Sequence, residues 1–151
     1  MEKKKIYIAG PDVFAPDAVE LGIKYKIICE KYGFIGLYPF DNEAITSREI
    51  YKANCKMIEE ADIIVANLNS FRGQCVDDGT SLEIGLAKYQ GKIIYGYMSD
   101  TRSLRSKIGE KDKDGNTVED FGHPVNLMVF NSCDGIFQGD FEDCIKAISK
   151  Q

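Results

Sequence analysis

The sequence predicts an α/β protein in which an open parallel sheet is covered by helices. Two observations carry that prediction. Short apolar runs bounded by Gly, Pro and Asp alternate with longer segments whose apolar residues recur at helical spacing, and the links between them are short. The first apolar run, Ile6-Tyr7-Ile8-Ala9, has no polar face, as expected of a strand covered on both sides.

Taken in order, residues 4–9 form the first strand, and Gly10-Pro11 breaks it. A helix is expected from Pro16 to Tyr32, with Asp17 and Glu20 at its positive end and Leu21, Tyr25 and Ile28 as its buried stripe, widened by Ile27. Gly33 ends it, and Phe34–Tyr38 is the second strand. After the polar loop Pro39-Phe40-Asp41-Asn42-Glu43, the capping-box spacing of Thr46 and Glu49 opens a helix over Ser47–Glu60, with Ile50, Met57, Ile58 and Ala61 inward. The third strand is Asp62–Leu68. A helix from Thr80 to Tyr89, capped by Thr80 or Asp78, and a fourth strand, Lys92–Tyr97, follow. Thr101–Phe121 is turn-rich and charged and reads as a mobile loop or a small excursion. Val125–Phe130 is a buried element, and a last helix over Asp140–Ser149 turns Phe141, Cys144, Ile145 and Ile148 to the core. No repeat or boundary divides the chain, so residues 1–151 are expected to form one domain.

The net charge of -5 argues against a nucleic-acid surface. Five widely spaced cysteines with no CxxC pair read as reduced thiols, and with a single histidine they give no zinc ligand set. The first apolar run is too short for a signal peptide or a membrane span, so a soluble, cytoplasmic protein is expected.

The chemistry concentrates in Asp77-Asp78-Gly79-Thr80-Ser81-Leu82-Glu83. Three carboxylates gather at a loop-to-helix junction, and Glu83 falls in the first turn or two of the helix, whose positive end favours an ionised carboxylate. Such a group suits a nucleophile or an anchor for a cationic transition state. Ligands of open parallel sheets bind outside the carboxyl ends of the strands, a rule that gathers Tyr7, Gly10, Asp41, Asn67 and Asn69 beside the acidic stretch. The turn Ala9-Gly10-Pro11-Asp12 lacks the glycine set of a dinucleotide site.

Five ordered blocks resemble the nucleoside 2-deoxyribosyltransferase family: Tyr7-Ile8-Ala9-Gly10-Pro11 with Phe14, Asp41-Asn42-Glu43, Ala66–Gly73, Asp77–Gly85, and Pro124-Val125-Asn126-Leu127-Met128. The resemblance implies a flavodoxin-like sheet with helices on both faces, a three-layer sandwich. It implies transfer of 2-deoxyribose between nucleobases by double displacement, with no metal or organic cofactor. The partners it implies are 2-deoxyribonucleosides and free purine or pyrimidine bases. Carried onto this chain, the family nucleophile falls on Glu83, the proton-handling acid on Asp77 rather than Asp78, and the orienting tyrosine on Tyr7. Asp41 and Asn42 fall where polar groups meet the base, Phe14 where a ring covers it, and Asn69 where family members carry an acid. Asn126 and Met128 are implied to complete the site of a neighbouring subunit, which requires a homo-oligomer, at least a dimer and on the family pattern up to a hexamer. The chemistry then calls for a split acid pair, with Glu83 ionised and Asp77 the more easily protonated. The alternative is an N-glycosidase of the same superfamily acting on 2-deoxynucleoside 5-monophosphates; no clear Ser, Arg or His cluster for the phosphate stands in this sequence.

Overall fold

Parallel strands need a crossover that returns the chain to the same end of the sheet, and a helix between successive strands supplies it. The computed structural model, which describes residues 1–151, has this arrangement. Five strands, β1 (Lys5–Ala9), β2 (Ile35–Leu37), β3 (Ile63–Asn67), β4 (Ile93–Met98) and β5 (Gly135–Gln138), form one sheet in the order β2-β1-β3-β4-β5. Every neighbouring pair is parallel. Six helices accompany them: α1 (Ala18–Lys31), α2 (Ser47–Glu60), α3 (Asp78–Tyr89), α4 (Leu104–Ile108), α5 (Leu127–Ser132) and α6 (Phe141–Ile148).

The pleat divides the core in two, since successive side chains point to opposite faces. Tyr7, Ala9, Ile64, Ala66 and Ile94 pack with Met57 and Ile58 of α2 and Ile84 and Ala87 of α3. Ile6, Ile8, Ile63, Val65 and Tyr97 pack with Ile28 and Cys29 of α1 and with Phe141, Cys144, Ile145 and Ile148 of α6. Helices on both faces make the flavodoxin-like three-layer sandwich that was expected. No helix is long and apolar enough to cross a membrane.

Several local expectations are corrected. α3 begins two residues before Thr80, because Asp77 is its cap: the Asp77 carboxylate accepts the Thr80 N–H. A 3-10 turn over Pro11–Phe14 delays α1 to Ala18. Ile27 is exposed rather than part of the buried stripe. Residues 125–130 are not a uniformly buried element. Val125 is buried, but Asn126 caps α5, and Leu127 and Met128 are exposed. β5 was not expected at all. It is a four-residue edge strand that takes its register from β4. The 101–121 segment holds the short helix α4 and a turn in which Asp112 accepts the N–H groups of Asp114 and Asn116, each at 2.9 Å.

Candidate active site

The order β2-β1-β3 places the carboxyl end of β1 at the point where connections leave in opposite directions, the usual ligand crevice of such sheets. Gly10 is the first residue past β1. A Cβ there would stand 2.8 Å from Asn67 Cβ and 3.0 Å from Asp12 Oδ2, so only glycine lets the chain leave β1 this close to the end of β3. Asn67 then donates from Nδ2 to Asp12 at 3.2 Å and 3.3 Å, which seats the 3-10 turn. That turn carries Val13 and Phe14 over a cavity of about 500 Å³ between the start of α2 and α3. Phe14 stacks on Phe71 at 5.6 Å between centroids, and the Arg72 guanidinium lies 4.8 Å over one ring and 4.5 Å over the other. Arg72, a loop residue at φ 49, therefore braces Phe14 at the mouth.

Glu83, in the second turn of α3, lines this cavity, and the hydroxyl of the fully buried Tyr7 donates to its Oε2. Burial pushes the Glu83 carboxyl up to about 7; the Tyr7 hydrogen bond pulls it down, and the nearby Asp77 charge pushes it up again. Burial and the adjacent carboxylate raise Tyr7 as well, so its phenol stays protonated and acts as a donor. The expectation was an ionised Glu83; burial instead favours its acid form.

Asp77 is buried at the cavity wall, with Oδ2 accepting from the Thr80 N–H at 3.1 Å and the Thr80 hydroxyl at 2.8 Å, and Oδ1 left without a protein donor. Asp78 points elsewhere: it is exposed and accepts the Gly79 N–H at 2.8 Å. The walls are mostly apolar, including Phe40, Ile50, Tyr51 and Leu82.

One wall residue escaped the sequence reading. Asn54 of α2 lines the cavity and has a buried Oδ1 with no hydrogen-bond partner. It lies four residues from Ile50 and four from Ile58, in the middle of the apolar stripe, and a polar residue centred on such a stripe was the available signal.

The cavity thus gathers Gly10, Phe14, Asn42, Asp77 and Glu83, with Tyr7 behind. Asn42 bonds within its own loop, to the Pro39 carbonyl and the Ala44 N–H. Four candidates stand apart. Asp41 pairs with Lys26 at 2.8 Å and accepts the Tyr38 N–H at 2.9 Å, holding the turn after β2. Asn69 ties β3 to the end of β4 through the Ser99 N–H and hydroxyl. Asn126 and Met128 sit at the start of α5, which packs on α3 beside Ser81, away from Leu82, Glu83 and Leu86 on the cavity side. Nowhere do three or more His, Cys, Asp or Glu side chains converge as metal ligands would.

The model of the nucleoside 2-deoxyribosyltransferase family matches residues 6–128. A solved 2-desoxiribosyltransferase from Leishmania mexicana is 36% identical, superposes with a TM-score of 0.88, and covers 98% of this chain and 98% of its own. An uncharacterized protein of Schizosaccharomyces pombe is 34% identical over 113 residues, 68% of this chain and 54% of the yeast protein. The chain therefore spans about half the length of that curated relative. A 2-deoxyribosyltransferase from Bacillus psychrosaccharolyticus, 21% identical with a TM-score of 0.59 over 92% of this chain and 88% of its own, shares the fold.

Proposed function

The chain belongs to the nucleoside 2-deoxyribosyltransferase family, and we propose that it moves 2-deoxyribose from one nucleobase to another by double displacement. The observation that carries this reading is the Tyr7–Glu83 pair set into a largely apolar cavity, with Asp77 six residues earlier on the same wall. The hydrogen bond from Tyr7 engages Oε2 and leaves Oε1 free for attack on C1′ of a bound 2-deoxynucleoside. As that bond forms, the glycosidic bond breaks and its electron pair goes to the departing base, while the sugar passes through oxocarbenium-like charge. For this step Asp77 is in its acid form: its Oδ1, which has no protein donor, delivers that proton to the base and leaves Asp77 a carboxylate. The product of this half-reaction is a 2-deoxyribosyl ester on Glu83. An incoming base attacks C1′, the carboxylate leaves with its electron pair, and Asp77 takes up the proton the new base loses. Two inversions give net retention.

Phe14, braced by Arg72 and Phe71, covers the base, and Asn54 offers its amide to the base edge. Asn42 stands at the same wall. Asp41 acts indirectly, by holding the Pro39–Asn42 turn in place. Asn126 and Met128 are exposed and lie on a different face of α3 from the cavity, which supports the reading that they complete the site of a second copy. The working unit is then at least a dimer.

Purified protein is incubated with deoxyinosine and either adenine or cytosine, beside Glu83→Ala, and the products are separated by chromatography. New deoxynucleoside from the wild type only, together with a protein mass raised by one deoxyribosyl group when no acceptor is present, supports the proposal. Free deoxyribose from every mixture would assign the N-glycosidase reading instead, and full activity in Glu83→Ala would remove the mechanism.

A further inference from the structure

We infer that Glu119 is a positioning residue for Asn126, and that the segment between β4 and α5 is the bracket that holds it. The inference rests on the reading of Asn126 as part of a neighbouring copy's sugar site.

Glu119 commits both carboxylate oxygens to one corner. Oε1 accepts from Asn126 Nδ2 at 3.1 Å, and Oε2 accepts from the Leu127 N–H at 3.0 Å. Asn126 Oδ1 in turn accepts from the Met128 N–H at 2.8 Å. The two ends of the amide are thereby told apart: Nδ2 is drawn to the carboxylate and Oδ1 to the helix. An exposed asparagine without such partners turns easily about its terminal torsion and offers donor and acceptor at random. Held by Glu119, it offers its remaining N–H and lone pair in fixed directions, as recognition of a sugar hydroxyl requires.

Glu119 is itself pinned on both sides. The carbonyl of the preceding, buried Val118 accepts from Arg105 Nη2 at 2.7 Å, and the Val118 N–H donates to Glu110 at 3.0 Å. Further along, the His123 carbonyl accepts from the Leu104 N–H at 2.9 Å and the Pro124 carbonyl from Lys107 Nζ at 2.9 Å. Leu104, Arg105 and Lys107 all belong to α4, so this short helix clamps the chain on either side of the Glu119–Asn126 contact. Helix capping alone accounts for the bond to Leu127. The bond to the Asn126 side chain reaches no backbone group of α5; it fixes the amide whose Oδ1 caps the helix and so sets where its remaining N–H points.

The test is a double-mutant cycle with Glu119→Ala and Asn126→Ala, read as kcat and KM for deoxyinosine, with the assembly checked by light scattering. Glu119→Ala is expected to lower kcat/KM about ten-fold, mainly through KM, and to add nothing in the Asn126→Ala background. Glu119→Gln, which keeps one acceptor oxygen, should recover part of the loss. Mixing Glu119→Ala with an excess of Glu83→Ala should raise the activity per intact Glu83 toward that of the wild type, because each such site is then completed by an intact neighbour. Additive losses in the double variant, or a lowered Tm with unchanged KM, would overturn the inference and leave Glu119 as a helix cap. An unchanged KM in Asn126→Ala would instead remove the underlying reading of Asn126.

Discussion

Replacing Tyr7 by Phe tests whether the Tyr7 hydroxyl sets the ionisation of the proposed nucleophile. The Glu83 carboxyl is pushed up to about 7, by burial and the Asp77 charge acting against the donated hydrogen bond. The phenylalanine keeps the ring in the β1–α3 packing and removes only that bond. A hydrogen bond to a charged group is worth roughly 1.5–3 kcal/mol, and at about 1.4 kcal/mol per pH unit its loss should move the acid limb of kcat/KM upward by about one to two units. The sign is fixed: the bond favours the carboxylate, so its removal favours the acid form. Near neutral pH the ionised fraction should fall from about one half to about 1–10%, and kcat/KM by roughly 5- to 50-fold, with most of the loss regained by about pH 9. The assay is deoxyinosine-to-adenine transfer from about pH 5 to about pH 9.5, with circular dichroism confirming the fold at each point. A loss equal at every pH would refute the reasoning and leave Tyr7 a purely geometric role. An unchanged profile would remove Tyr7 from the site.

Glu83→Gln should stabilise the fold at high pH. Because the folded carboxyl is raised from 4.5 to about 7, the stability it contributes is full below about 4.5 and is lost as pH climbs to about 7. A neutral glutamine still accepts from Tyr7, so urea unfolding should find the variant equal to wild type in acid and up to about 3 kcal/mol more stable above neutrality; parallel pH curves would contradict this. Asp77→Asn should keep the α3 cap and stay within about 1 kcal/mol of wild type in stability, yet lose about 10²- to 10⁴-fold in transfer rate, measured by single-turnover base release. Asn54→Leu removes a buried amide oxygen that has no partner, so its Tm should hold or rise while KM for the acceptor base increases about ten-fold; an unmoved KM would take Asn54 out of the base contact.

Much of this was legible in the sequence, for identifiable reasons. The sheet was legible because β1 and β3 are apolar on both faces, and α2 because Thr46 and Glu49 write a capping box that the structure forms. β5 was not, since Gly135-Ile136-Phe137-Gln138 is too short to signal a strand and becomes one only by pairing with β4. Ile27 misled because its helical spacing fits a core stripe, yet in the fold it stands on an exposed side of α1. The bracket around Glu119 was hidden for a different reason: the bonds that pin it join residues 8 to 19 apart through backbone carbonyls, which no side-chain pattern reports.

The raised Glu83 carboxyl shows what a sequence withholds. The chain order reveals that Glu83 follows a helix N-terminus, where the macrodipole favours its charge. It does not reveal that the same turn aims the carboxyl into a cavity walled by Phe40, Ile50, Tyr51 and Leu82, where desolvation outweighs the hydrogen bond from Tyr7. On the proposed mechanism the raised value is no obstacle to nucleophilic attack. A carboxylate made more basic by desolvation attacks the anomeric carbon more readily than a well-solvated one, provided it is ionised when the substrate is in place. It is the ionised fraction that attacks, and the positive charge building on the deoxyribose is then stabilised directly against its oxygen as the glycosidic bond stretches. Burial, Tyr7 and substrate charge then form one device. On the proposed mechanism burial makes Glu83 reactive, Tyr7 keeps a useful fraction of it ionised, and that carboxylate meets the charge that builds on the sugar.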